Sequence, residues 1–115
     1  MKRILILDED PNMCLLLKLE MSDSGYEVFT ENNIDRGLKI LKNEWIDLII
    51  MDVEFPRVIN DMILNWMNRL QTETPVIIFS GNSGFKEFTD DDKFKYFVLK
   101  SGDTTLLKNK VHEII

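Results

Sequence analysis

The sequence predicts an α/β fold built on a five-stranded parallel sheet, and three observations carry that prediction. Short runs of Ile, Leu, Val and Phe without polar alternation (ILIL, LIIM, VIIF, YFVL) suit strands buried on both faces. Each run stops at a polar residue: Asp8-Glu9-Asp10, Asp52, Ser80 and Lys100. Between the runs lie segments with helical spacing, as right-handed βαβ crossovers require. The carboxyl ends of parallel strands share one sheet edge, and ligands of open α/β sheets bind there. Carboxylates, a hydroxyl and an amine are thus expected to converge on one crevice.

The elements follow in order. Arg3–Asp8 is the first strand. Asp10 caps a helix that Pro11 opens and that runs to about Ser24, where Gly25 ends it. Its inward face is read as Met13, Leu16, Leu17 and Met21, with Leu15 and Leu19 one turn apart on the opposite side. Tyr26–Thr30 is a short second strand near an edge. Asn33 to Asn43 is a second helix, with Ile34, Leu38 and Leu41 on one face. Ile46–Asp52 is the most uniformly apolar strand and so the central one.

Asp61 to about Thr72 reads as a third helix, with Ile63, Trp66, Met67 and Leu70 facing inward. Pro75–Ser80 is the fourth strand. Gly81, Gly84 and Asp90-Asp91-Asp92 disfavour a regular helix, so a short or distorted fourth helix with Phe85 and Phe88 inward is expected. Tyr96–Lys100 is the fifth strand, and Asp103 caps a last helix whose Leu107, Val111 and Ile114 face the sheet.

A length of 115 residues predicts one domain over 1–115, large enough to fold without disulfides or a structural metal. Cys14 is the only cysteine, which excludes an internal disulfide and fits a reducing cytoplasm. No apolar run approaches the roughly 18 residues of a membrane span, and the segment after MKR is too short for a signal peptide. A net charge of −6 argues against direct nucleic-acid binding by this domain.

Placed on this map, the polar strand ends resemble the receiver domain of two-component response regulators along the whole chain from Lys2. In that family an acidic pair follows the first strand, here Asp8 and Glu9. The phosphoacceptor ends the third strand, and DLIIMDVEFP fits that context with Asp52 as acceptor and Pro56 after it. A switch hydroxyl ends the fourth strand (Ser80), a lysine ends the fifth (Lys100), and a switch aromatic precedes that lysine (Phe97).

The resemblance implies a flavodoxin-like (βα)5 three-layer sandwich of strand order 2-1-3-4-5. It also implies a phosphoacceptor module, not a metabolic enzyme, phosphorylated on Asp52 by a sensor histidine kinase or phosphotransfer protein. Mg²⁺ would be held by Asp8, Glu9, Asp52 and the backbone carbonyl of Glu54. Lys100 and Ser80 would stabilise the phosphoryl group, and Ser80 and Phe97 would form the switch.

The chemistry is intelligible from the residues. A carboxylate can attack a phosphoryl group to give an acyl phosphate. Clustered carboxylates raise one another's pKa unless a cation intervenes, and Mg²⁺ takes a few carboxylates while keeping several waters. Such transfer depends mostly on positioning and charge stabilisation.

The chain also departs from the pattern. Glu9 stands where Asp is commoner, and RVIND replaces the usual Gly-containing turn after Pro56, with Asn60 a candidate for the left-handed conformation. Ser80-Gly81 replaces a hydroxyl-Ala pair. Ser101 follows Lys100 in place of a cis proline, and a cis bond at a non-proline residue costs roughly 2.5–4 kcal/mol. These departures keep a second reading open: a pseudo-receiver that binds partners without being phosphorylated. A flavodoxin-type cofactor binder is disfavoured, because DEDP after the first strand would repel a phosphate.

Other features read blandly. Asp90-Asp91-Asp92 lacks the ligand spacing of a calcium loop and reads as a solvated turn. Trp45 and Trp66 read as packing residues. His112 is the only histidine and reads as a surface residue, so a phosphohistidine must come from a partner. Leu15 and Leu19 form a candidate docking patch for a helical kinase domain.

Overall fold

Successive side chains of a strand point to opposite faces, and here both faces are apolar. The computed structural model describes residues 1–52, 74–81 and 96–115. Its elements are β1 (Arg3–Leu7), α1 (Pro11–Asp23), β2 (Glu27–Glu31), α2 (Ile34–Asn43), β3 (Leu48–Met51), β4 (Val76–Ser80), β5 (Tyr96–Leu99) and α3 (Thr105–Ile114). The helices expected near 61–72 and 81–93 lie outside the described residues, as do Glu54, Pro56, Asn60, Trp66 and the Asp90–Asp92 run.

The five strands form one parallel sheet in the order β2-β1-β3-β4-β5, as expected. Alternation splits its core in two. Leu5, Leu7, Ile49, Met51, Val76 and Ile78 pack on the face covered by Ile34, Leu38 and Leu41 of α2. Ile4, Ile6, Leu48, Ile50, Ile77 and Phe79 pack on the other, against Cys14, Leu17 and Met21 of α1 and Leu107 and Val111 of α3. Two buried faces explain why the strands carry no polar alternation.

Local signals set the helix ends. Asp10 accepts a hydrogen bond from the Asn12 amide at 2.9 Å, with Pro11 in the first turn of α1. Gly25 terminates that helix with φ 95°, a conformation that costs other residues about 1–2 kcal/mol. Asn33 accepts from the amides of Asp35 and Arg36 to start α2. The cap of α3, expected at Asp103, falls one residue later. Thr104 holds the cap position, and the Asp103 carboxylate accepts from the Thr105 amide (2.9 Å) and hydroxyl (2.6 Å).

Two packing expectations are corrected. Leu16, expected inward, is 42% exposed, and Cys14 takes its place in the buried stripe with Leu17 and Met21. At about 100° per residue, Leu16 falls with Leu15 and Leu19 on the side turned away from that stripe. Trp45, expected to pack, is 75% exposed, its indole N–H donating to Asp47 at 2.9 Å. His112 is exposed as expected. Among the described residues, no helix is long and apolar enough to cross a membrane.

Candidate functional site

Burying a polar side chain costs free energy unless it is partnered, so buried polar residues among apolar strands are informative. Among the described residues these are Asp8, Asp52 and Ser80, and each ends a strand at the carboxyl edge of the sheet. The ladder places them. The Asp8 amide donates to the Glu31 carbonyl (3.2 Å) and the Asp52 amide to the Leu7 carbonyl (3.0 Å), extending the pairing one residue past β1 and β3. Likewise the Lys100 amide donates to the Ser80 carbonyl at 2.8 Å.

Lys100 joins these strand ends. Its ammonium donates to Asp52 Oδ2 at 2.7 Å and to Asp8 Oδ2 at 3.0 Å. The other Asp8 oxygen accepts from the Asp10 amide at 2.9 Å, tying the carboxylate to the start of α1. Two carboxylates and one ammonium, from the ends of β1, β3 and β5, thus meet at the carboxyl edge of the sheet.

The electrostatics follow from burial. Desolvation raises the Asp8 carboxyl above its ordinary range, and the neighbouring Asp52 charge adds to that. The Asp10 amide and Lys100 only partly offset it. Burial opposes the charge on Lys100, but its hydrogen bonds to Asp52 and Asp8 outweigh that and hold its pKa above the usual value. The Lys100 ammonium also lies 5.6 Å from the centre of the Phe79 ring, within cation–π range.

The expected site residues that the structure describes have definite places. Asp8, Asp52, Ser80 and Lys100 come together at the strand ends. Glu9 is exposed, and among the described residues no three His, Cys, Asp or Glu side chains gather as a metal-ligand group. Glu54 lies outside the described residues. Phe97 is half-buried against the α2-side core beside Ile78. Leu15 and Leu19 are exposed on α1, with Leu16 beside them.

Two contacts escaped sequence reasoning. In the sequence Phe79 shows only the apolar pattern of a strand, and its place beside Ser80 is the one signal of its contact with Lys100. Cys14 donates from its thiol to the Asp8 carbonyl at 3.4 Å, a contact no spacing rule announces. Burial raises the pKa of that thiol, with the Asp8 charge adding to it.

The pocket's donor set suits a hard divalent cation. Mg²⁺ binds through one or two carboxylates and completes its shell with water and phosphate oxygens, and Asp8 and Asp52 supply two converging carboxylates. A buried carboxylate facing an ammonium is also arranged to react with an electrophile whose developing negative charge the ammonium stabilises.

Comparison with known proteins gives a consistent picture. The family model of the response regulator receiver domain matches residues 4–112. The response regulator ArlR of Staphylococcus aureus (strain Mu50) is 35% identical over 83 residues, 72% of this chain and 37% of that protein. The transcriptional regulatory protein GlrR of Escherichia coli K12 is 29% identical over 84 residues, 73% of this chain and 19% of that protein. The chain therefore spans well under half the length of these curated relatives.

Among solved structures, the response regulator protein TrrA of Thermotoga maritima, in complex with Mg²⁺-BeF, matches with a TM-score of 0.86 at 30% identity, covering 100% of both chains. TrrA in complex with the histidine kinase ThkA matches at 0.84 and 30% identity, covering 100% of this chain and 99% of that one. The chemotaxis response regulator CheY4 of Vibrio cholerae, 18% identical with a TM-score of 0.84, shares the fold.

Proposed function

The chain belongs to the response regulator receiver domain family, and we propose that it is a phosphoacceptor modified on Asp52. A receiver domain is a signalling module of two-component systems rather than a classical enzyme. The observation that carries the proposal is the Lys100 ammonium bridging two buried carboxylates at the carboxyl edge of the sheet. An ion pair kept for stability alone gains little when buried, whereas this arrangement serves phosphoryl transfer.

Mg²⁺ would be held by Asp8, Glu9 and Asp52, with the Glu54 carbonyl as a further ligand, and would neutralise phosphoryl oxygens. The complex of TrrA with Mg²⁺-BeF supports Mg²⁺ as the cation. A carboxylate oxygen of Asp52 attacks the phosphorus of a partner's phosphohistidine, the bond to the histidine nitrogen breaks, and an acyl phosphate forms. Lys100 then follows the charge from the carboxylate to the phosphoryl oxygens. Ser80, buried at the end of β4, donates its hydroxyl to the phosphoryl group.

Movement of Ser80 toward the phosphoryl group opens space for the Phe97 ring, which forms the switch. Turning it from mostly off to mostly on takes about 5.5 kcal/mol of differential stabilisation. The donor is a sensor histidine kinase or phosphotransfer protein, a partner class supported by TrrA's complex with ThkA. Leu15 and Leu19, exposed on α1, form its docking patch.

The test is incubation with acetyl phosphate and Mg²⁺ followed by intact mass. The expected result is a phosphate adduct that disappears in Asp52→Asn. The exposure of Glu9 favours a second reading, a pseudo-receiver that is not phosphorylated. That reading is selected if the folded protein neither gains an adduct nor binds Mg²⁺.

A further inference from the structure

Lys100 must hold its ammonium within bonding distance of two carboxylates, yet among the described residues the chain just beyond it is tied only by short-range hydrogen bonds linking Ser101, Asp103 and Thr105. Ser101, Gly102 and Asp103 are all exposed, so no buried side chain anchors this segment to the core. A Cβ built on Gly102 would touch nothing within 4 Å. Ser101 replaces the proline that would stiffen the segment.

To the buried packing of Leu107 and Val111, which seats α3 on the sheet, α1 adds a polar restraint. The Glu20 carboxylate accepts a 2.7 Å hydrogen bond from the Thr104 hydroxyl, and the Lys108 ammonium pairs with the same oxygen. Hydroxyl-to-carboxylate bonds are among the stronger ones, and the Glu20 side chain is only 26% exposed. Glu20 thus joins the helix that begins just after Asp8 to the helix that begins just after Lys100. Glu20 lies in the later turns of α1, so the tie holds the start of α3 to that helix.

We propose that Glu20 is a positioning residue: through Thr104 and Lys108 it holds the segment after Lys100 so that the ammonium stays on Asp52 and Asp8. The proposal rests on the phosphoacceptor reading for its consequence in transfer, but not for its geometry. Displacements of about 1 Å near a reacting centre can cost up to a hundredfold in rate. Loss of this tie should therefore slow adduct formation about tenfold.

Two measurements on the full chain test it. The first is the acetylation rate of each lysine amine, read by mass spectrometry, which needs no phosphorylation. Glu20→Ala and Thr104→Val should speed modification of Lys100 severalfold and leave Lys39 and Lys42 unchanged, while Thr104→Ser stays close to the parent. The second is adduct formation from acetyl phosphate and Mg²⁺. Glu20→Ala should slow it in the parent but change it less than twofold in a Lys100→Ala background, because the effect runs through Lys100.

Unchanged Lys100 labelling in Glu20→Ala overturns the proposal. So does an equal slowing in both backgrounds, which marks a general structural effect. If the parent forms no adduct, the phosphoacceptor reading fails, and the labelling result alone decides the role of Glu20.

Discussion

The Lys100 ammonium lies 2.7 Å from the Asp52 carboxylate, although 48 positions separate the two residues in sequence. Asp8 shares the same ammonium at 3.0 Å, so among the described residues Lys100 pairs with both buried carboxylates. In this arrangement Lys100 occupies the counter-ion role that a divalent cation would take over.

Lys100→Met should therefore destabilise the protein in Mg²⁺-free buffer by roughly 2–3 kcal/mol, since removing one partner strands the others. Part of the loss should return with Mg²⁺, which should also bind more tightly once its competitor is gone. Urea denaturation with and without Mg²⁺ measures both. A loss of equal size in the two buffers would count against the counter-ion role.

Asp8→Asn should have the opposite sign without metal. Burial holds the Asp8 carboxyl above its ordinary value of 3.8, so ionising it is a cost to the fold. That cost is absent below 3.8 and grows as pH rises through the elevated folded value. The variant should melt a few degrees higher than the parent at pH 7, with the gap closing toward pH 4. It should also lose affinity for Mg²⁺. Thermal melts across this range, with a Mg²⁺ titration, provide the check.

Two glycines are expected to resist substitution for different reasons. Gly25→Ala strains the positive φ at the end of α1 and should cost about 1 kcal/mol. Gly37 is buried in α2, and a Cβ there would lie 2.7 Å from Leu7 Cδ2. Alanine would gain about 1 kcal/mol in helix propensity but overpack a filled core, at a cost of roughly 1–3 kcal/mol. A net loss of about 1 kcal/mol is expected for Gly37→Ala, with partial recovery on adding Leu7→Val. Recovery would be absent if the clash were elsewhere.

The exposed leucines of α1 give a functional prediction. Replacing Leu15 and Leu19 with Glu should slow phosphotransfer from a cognate histidine kinase at least tenfold, because a buried interface anchor commonly carries more than 1 kcal/mol. Phosphorylation by acetyl phosphate should stay within about twofold, as no docking is needed. Equal slowing by both donors would remove the docking role.

Much of the fold was legible because its signals are local. An apolar run flanked by a polar residue marks a buried parallel strand, and the strand ends of such a sheet share an edge. Asp8, Asp52, Ser80 and Lys100 could be placed together on that ground alone, and the sheet order followed from the family resemblance. Asp10, Gly25 and Asn33 marked helix ends because a cap acts over two or three residues. The inward face of α1 was read less well: Leu16 and Cys14 exchanged places, since a leucine-rich helix offers several apolar stripes and composition does not choose among them.

What the sequence alone determined is thus the five strands and the three described helices, with the edge on which the polar residues meet, because both arise from neighbouring residues and from the geometry shared by all parallel strands. Only tertiary structure decided that Lys100 bridges both carboxylates, that Glu20 reaches Thr104, and that Trp45 faces solvent. These depend on distances between segments far apart in the chain, and such distances are set by how the helices seat on the sheet. No local pattern encodes them.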